Sequence, residues 1–486
     1  MTAPTDLDIQ RALAVDVLCD PSLANVVDLV AYPDGDGIIV ANADGASRLS
    51  RLDADAPAEL LRGRDPVAHQ DPLAFPTLAE ELADPSPPNS RNSYPWAAAR
   101  LGSLFAADAA PDIAVVHTGR HHWPERGGHL GEHGSLSVIQ SRAPLVLSGP
   151  AVTARGRLDT AARVIDIAPT LAWLAGCPLP SLADMDGVAL VDLLVPRVST
   201  HVVGLLWDGC NSNSLLAMAA AGELPAVARL LQRGCSLTGG AVAEFPSVTL
   251  VNHTCALTGL GPGRHGIVNN AYYDRGTAMQ RLTNDARTWH RWSEWLAPGV
   301  RTVFDRVGTS TACVNEPADG GAAYSTFALI RESGSSDGAS SMNELLPDPM
   351  TDPHASREHV EVDPDYAWST SVDAVGLTQM LDLWPSPSEA PRLTWWNTLL
   401  TDTGHHAGGP HSAIARDAMR DADRRLSVFL DHLERMGALE STTFVLTADH
   451  GSEGADLRCV GDWGEPLREA GVDFRDEAVG FLYLGS

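Results

Sequence analysis

Short apolar runs alternate with longer segments of helical spacing over the second half of the chain. His201–Trp207 is a continuous apolar run that ends at Asp208, and residues 392–400 and 443–447 have the same character. Runs of this length suit strands buried on both faces. Residues 223–234 predict a helix with Pro225 in its first turn and Gly234 as its stop. Residues 412–436 place Ile414, Ala418, Leu426, Phe429, Leu430 and Leu433 at helical spacing. Strand-then-helix alternation predicts a mostly parallel sheet covered by helices on both faces, an α/β three-layer αβα sandwich.

Elsewhere the pattern is less regular. Residues 25–31 and 37–41, joined through Pro33-Asp34-Gly35-Asp36, predict a hairpin, and the Pro/Ser/Asn-rich stretch 84–93 predicts a surface loop. The final apolar run, 479–484, predicts a strand that continues in space towards a first helix near Ile9–Leu18. Residues 272–388 interrupt the alternation, carrying Trp289, Trp292 and Trp295 and a Ser/Gly-rich patch over 333–341. Those tryptophans suit a packed helix face, with stacking on a base or aromatic leaving group as the alternative. The expected division is a core portion over 1–195, further core segments over 196–271 and 391–486, and an insertion over 272–390.

Composition narrows the function classes. With 44% apolar residues and no apolar run near the ~18–20 residues that span a bilayer, the chain is expected to bury a large core and to have no membrane partner. Its start, with Asp6 and Asp8, lacks a basic-then-apolar secretory pattern, so a cytoplasmic location is expected. A net charge of −28 disfavours a nucleic-acid duplex, while a small anionic substrate remains compatible if bound cations dominate the local field. Seven cysteines without C-x-x-C spacing predict free, mostly buried thiols. All 34 basic residues are arginine, which excludes lysine Schiff-base chemistry and a Walker-type phosphate lysine. The one G-x-S-x-G match, Gly334-Ser335-Ser336-Asp337-Gly338, lies in the Ser/Gly-rich patch rather than at a strand-to-helix turn, and is discounted.

The candidate chemistry is concentrated elsewhere. Asp208 stands at the C-terminal end of a strand, where open parallel sheets bind ligands. Phe245-Pro246-Ser247-Val248-Thr249 follows it, and then Gly259-Leu260-Gly261-Pro262-Gly263-Arg264-His265-Gly266-Ile267-Val268-Asn269-Asn270. Asp402, His406, Asp449 and His450 complete the set. A threonine hydroxyl is protonated at neutral pH and needs activation before it attacks phosphorus. Two cations about 3.5–4 Å apart supply it and stabilise the leaving oxygen. Taken singly, Asp208 and Asp402 suit turns, Thr249 a helix N-cap and His450 a packed histidine. Their joint spacing is what those readings do not predict.

These motifs, with Asp402-Thr403-Gly404-His405-His406-Ala407-Gly408-Gly409-Pro410 and Thr447-Ala448-Asp449-His450-Gly451, resemble the alkaline phosphatase superfamily, in its nucleotide pyrophosphatase/phosphodiesterase branch. The resemblance implies an alkaline phosphatase-like fold with a cap and two divalent metal ions, zinc or manganese. It implies Thr249 as nucleophile and Asn270, twenty-one positions later, as a phosphoryl-oxygen binder. One cation would be held by Asp208, Thr249, Asp449 and His450, and the other by Asp402, His406 and a third histidine. His405 occupies a glycine position of the family pattern and is a weaker candidate. The sulfatase branch is disfavoured because no Cys-x-Pro-x-Arg signature exists.

In the ordinary family order the third histidine follows the Asp-His-Gly motif, yet no histidine follows His450. The front of the chain offers one in Glu132-His133-Gly134, followed by Ala143 to Pro150 and by Asp166-Ile167-Ala168-Pro169-Thr170. That order resembles the C-terminal third of the family, so a circular permutation is expected, with His133 as ligand and His129 as its rival. A solvated loop cluster is the alternative for His117, His121, His122, His129 and His133. His253, on the helix after Thr249, is expected to be structural or to support the ligands. The function these readings predict is hydrolysis of a small anionic phosphate ester, a phosphodiester or nucleotide pyrophosphate foremost. A monoesterase or phosphonate hydrolase on the same framework, and a metal-free scaffold, are the alternatives.

Overall fold

The computed structural model describes residues 5–84, 86–195, 199–332, 343, 346–478 and 480–485. Its central sheet has eight strands in the order Tyr324–Ser325, Thr311–Val314, Leu393–Thr398, His201–Trp207, Thr442–Thr447, Leu145–Ser148, Gly234–Leu237, Gly156–Leu158. Every pairing is parallel except those of Leu145–Ser148, which runs antiparallel to both neighbours. All residues of His201–Trp207, Leu393–Thr398 and Thr442–Thr447 are buried, so both faces of the sheet are covered. Gly204 pairs with Trp395 on one side and Val445 on the other. A Cβ there would stand 2.2 Å from the Trp395 ring, so the close approach requires glycine.

The helices follow the expected periodicity with small shifts at their ends. Ala413–Arg435 is capped by the Ser412 hydroxyl, which accepts from the Ala415 amide, and it buries Ala418, Leu426, Phe429, Leu430 and Leu433. From the same helix the buried Asp423 accepts from the Ala226 and Val227 amides, satisfying the start of the helix Pro225–Gln232. Gly234, expected as a helix stop, instead opens the strand Gly234–Leu237. The strand expected over 392–400 ends at Thr398, and the chain turns into the helix Leu400–Gly408. The Asp373 carboxylate makes that turn possible by accepting from the amides of Leu399 and Leu400 at 3.0 and 3.3 Å.

Of a second, seven-stranded antiparallel sheet, only the hairpin and the final strand were foreseen. Its order is Phe474–Glu477, Phe481–Leu484, Ile113–His117, Val27–Asp34, Gly37–Asn42, Gly45–Ser50, Glu59–Gly63. Alternate residues feed two apolar clusters: Leu29, Ala31, Ile38 and Val40 on one face, Val30, Ile39 and Ala41 on the other. Ala97–Leu104 covers the first face, and Asp6–Leu18 with Gly464–Glu469 covers the second. Burial on both faces is why these strands read as short apolar runs without clear alternation. Residues from the front and the end of the chain share this sheet, and the Asp473 amide donates to the Gln10 side chain at 2.8 Å.

Within 272–390 the strands Thr311–Val314 and Tyr324–Ser325 join the central sheet, and the helix Pro364–Asp382 packs on it. The Ser/Gly-rich patch and Gly334-Ser335-Ser336-Asp337-Gly338 lie outside the described residues. The seven cysteines are free; Cys210, Cys235, Cys255 and Cys313 are buried and Cys19, Cys177 and Cys459 partly so. No single described helix is long and apolar enough to cross a membrane.

Candidate metal centre

Three parallel strands deliver the acidic residues to one end of the central sheet. Asp208 follows His201–Trp207, Asp449 follows Thr442–Thr447, and Asp402 lies in the first turn of the helix after Leu393–Thr398. On that helix His406 is four residues beyond Asp402, hence on the same face, and its Nε2 is 3.1 Å from Asp402 Oδ2. Gly209 allows the three acids to converge. It has φ +62°, a Cβ on it would meet Asp402 Oδ1 at 2.1 Å, and its amide donates to Asp449 Oδ1 at 3.0 Å.

Thr249 is the first residue of the helix Thr249–Thr258; its N-cap is Val248, so the threonine hydroxyl does not cap. It is buried, with Oγ1 3.5 Å from His450 Nε2. Asn270 Oδ1 accepts from the Leu250 amide at 3.1 Å, and Asn270 and Thr249 line one cavity of about 230 Å³. Trp123, Arg126, Glu132, Asn284 and Ala478 shape the rest of its wall with the histidines.

His133 comes from the front of the chain and meets the others: its Nε2 is 3.3 Å from His406 Nε2, and its ring stacks on His450 at 3.8 Å. His133, Asp402 and His450 form one group able to hold a metal ion, and Asp208, His253 and Asp449 form another. His450 Nε2 is also 3.0 Å from Asp449 Oδ2, so it stands between the two groups. His129 packs against His406 at 3.9 Å between rings; neither belongs to these groups, but His406 Nε2 stands 3.1 Å from Asp402 Oδ2. His405 is turned away, with Nδ1 against the Thr401 carbonyl. The histidine-rich segment is not a solvated cluster, since His117, His121 and His122 are buried.

The donor set fits divalent cations. Nδ1 of His133, His406 and His450 faces the carbonyls of Ser247, Gly131 and Gly451 at 3.0, 2.8 and 2.9 Å, which leaves each Nε2 for a ligand. Asp208 Oδ1, Asp402 Oδ1 and Asp449 Oδ2 are buried with no hydrogen-bond partner. Orphaned buried carboxylate oxygens are costly unless a cation is bound. The charges are correspondingly strained. Burial and the neighbouring Asp449 push Asp208 up to about 7. Burial would also raise Asp402, yet His406, His133 and His450 hold it well below the usual range. His406 and His450 rise to about 9 despite burial, because Asp402 and Asp449 attract their protons.

Sequence spacing missed several residues here. Asp373 and Glu316 sit in the 272–390 stretch, which has no motif, and only the fold brings them to the centre. Trp292 is buried, donating to Thr254 Oγ1 at 2.9 Å, as expected of a packed residue. Trp289, with Asn284 and Asn315, lines the wall beside Thr249 and Asp208.

Among solved structures, the chain is similar to murine ectonucleotide pyrophosphatase/phosphodiesterase 5 at 16% identity and TM-score 0.36, over 52% of this chain and 57% of that one. Phosphonoacetate hydrolase from Sinorhizobium meliloti 1021, in complex with phosphonoformate, aligns at 22% identity and TM-score 0.35, over 53% of this chain and 58% of that one. The chain therefore spans somewhat more than half the length of these neighbours. Residues 202–484 match the family model of type I phosphodiesterase / nucleotide pyrophosphatase, more than half of the chain, and the protein belongs to that family.

Proposed function

We propose that the protein is a two-metal hydrolase of phosphate esters, acting on phosphodiesters or nucleotide pyrophosphates through Thr249. The observation that carries this reading is the buried Thr249 hydroxyl beside His450, at a centre where Asp208 Oδ1 and Asp402 Oδ1 are buried without a hydrogen-bond partner. Asp208, Thr249, Asp449 and His450 would hold one cation, and Asp402, His406 and His133 the other. Bound there, such cations lower the pKa of a hydroxyl or water and offset charge on the leaving oxygen.

The chain's own residues then have separable tasks. Thr249 Oγ1 gives up its proton to solvent and forms the bond to phosphorus, while the ester oxygen opposite departs with the bonding pair and takes up a proton from water. The resulting phospho- or nucleotidyl-threonine is hydrolysed by water, which restores the hydroxyl. Asn270, its Oδ1 tethered by the Leu250 amide, presents its NH2 to a nonbridging oxygen. Asn284, from the 272–390 stretch, lines the cavity beside Thr249 and Asn270, and Trp289 packs next to it, which supports a substrate-shaping role for that stretch.

The chain order of the ligands supports a circularly permuted arrangement. The family match begins at residue 202, whereas His133 lies before it. The strand Phe481–Leu484 pairs with Ile113–His117, and the first helix packs against it.

Metal quantification beside Thr249→Ala tests the reading, with turnover of a bis-aryl phosphate compared with that of the mono-aryl ester. Two metals per chain are expected, with the diester preferred and Thr249→Ala losing at least about 10³-fold in kcat while keeping its metals. Unchanged turnover in the variant removes Thr249 from the role. Preference for the monoester moves the substrate class, and absence of bound metal returns the protein to a scaffold.

A further inference from the structure

His253 lies one turn beyond Thr249 on the same helix, four residues on and therefore on the same face. It is buried, and its Nε2 is 3.4 Å from Asp208 Oδ2 and 3.6 Å from Asp449 Oδ2. These separations exceed the ~2.7–3.2 Å of an N–H···O bond. Neither ring nitrogen of His253 makes a well-formed hydrogen bond, so both face carboxylates as ion-pair contacts. The separations at Nε2 fall instead within the edges of about 2.9–3.6 Å between two donors, each about 2.0–2.1 Å from a five-coordinate cation. Asp449 Oδ2 has a further such neighbour in His450 Nε2 at 3.0 Å.

The far side of the ring is equally specific. Glu316 Oε2 stands 2.9 Å from His253 Nδ1. That carboxylate is fully buried and fixed by Trp395 Nε1 at 3.1 Å and by the Ala318 amide at 2.9 Å. A carboxylate behind an imidazole fixes the ring's orientation and makes the opposite nitrogen a better donor to a metal.

We propose that His253 is a ligand of the cation held by Asp208 and Asp449, with Glu316 as the carboxylate that orients it. This rests on the two-metal reading and adds a donor to it. Thr249 and this ligand share one rigid helix, so binding the cation also sets the direction of the nucleophile's oxygen. Glu316 gives the 272–390 stretch a part in the metal centre as well as in the wall of the cavity.

Proton NMR of the cobalt(II)-loaded protein tests this without reference to turnover. A histidine bound through Nε2 keeps its Nδ1–H close to the paramagnetic ion and gives an exchangeable, strongly shifted resonance. Four are expected, from His133, His406, His450 and His253, and His253→Gln should remove one while two cobalt ions remain within reach at high concentration. Glu316→Gln should shift the same resonance and weaken cobalt binding at that site by about 10–100-fold. Three resonances in wild-type protein with two cobalt ions bound would overturn the inference and leave the two-metal reading intact. Failure to bind cobalt overturns both.

Discussion

Asn270 is a residue whose contribution can be separated from metal binding. Its Oδ1 accepts from the Leu250 amide, so the side chain is fixed by the same helix that carries Thr249. Asn270→Ala should lower kcat by about 10²–10³-fold with metal content unchanged, since an oxyanion donor is lost and no ligand is. A loss of metal would mean that the side chain serves the site's architecture instead. Glu453 makes a different test, because it is buried and hydrogen-bonded by Gln140 Nε2 at 3.2 Å. Burial is the main cause that raises it from about 4.5 to about 8, against the hydrogen bonds of Ser86 and Gln140. A carboxyl whose folded pKa is raised holds its proton longer in the native state. Its contribution to stability is complete below the ordinary carboxylate range and is lost as pH rises towards 8. Glu453→Gln cannot ionise. Urea unfolding of the metal-free protein should therefore show the variant gaining on wild type between about pH 5 and 8, then a constant difference. A difference that does not change with pH would remove Glu453 as the source.

Among the elements, the helix Leu400–Gly408 is the one whose placement decides the site, because it carries both Asp402 and His406. Its first amides depend on Asp373, a buried residue of Pro364–Asp382. Asp373→Ala leaves two buried N–H groups unpaired and should cost about 2–4 kcal/mol in urea denaturation. It should weaken metal binding as well, because the helix start is freed. Asp373→Asn, which keeps an acceptor, should lose less; equal losses from the two variants would show that the acceptor is not what matters. This element also shows where sequence reading stops. The spacing of Asp402 and His406 was legible, because their four-residue interval is local. The turn from strand to helix at Leu399 was not, since it depends on a carboxylate twenty-six positions earlier in the chain. The parallel strands around Asp208 and Asp449 were equally legible as continuous apolar runs. In the antiparallel sheet the hairpin and the last strand were legible too, but two further strands were not, because Gly45–Ser50 offers only small and polar residues outside Leu49 and Glu59–Gly63 is exposed throughout. Those strands are held by pairing to Gly37–Asn42 rather than by a pattern of their own. His253 was read as structural or supporting the ligands, and its contact with Glu316 was not legible, because Glu316 has no fixed distance from it in sequence.

At the scale of the whole molecule, chain order and spatial order differ. His133 reaches the centre from the front of the chain, and the strand that carries it towards the site, Gly131–Glu132, pairs with Glu453–Gly454 just beyond His450. The Gly485 amide donates to the Asp473 carbonyl, and the Asp473 amide donates to the Gln10 side chain, so residue 485 lies near the first helix. If contacts rather than connectivity determine this fold, the break in the chain can move. A variant that opens just before Thr200 and joins residue 486 to residue 1 through a flexible linker on the order of six residues should fold to the same sheets. It would place His133 after His450, restoring the order usual for the family. The expected outcome is two metals per chain, diester turnover within about threefold of the parent and a urea midpoint close to it, because the rearrangement changes chain-closure entropy by only about 1 kcal/mol. Loss of metal binding in a variant that still unfolds cooperatively would show that the original connection through residues 195–199 holds the two halves of the centre together, and the permutation reading would fall with it.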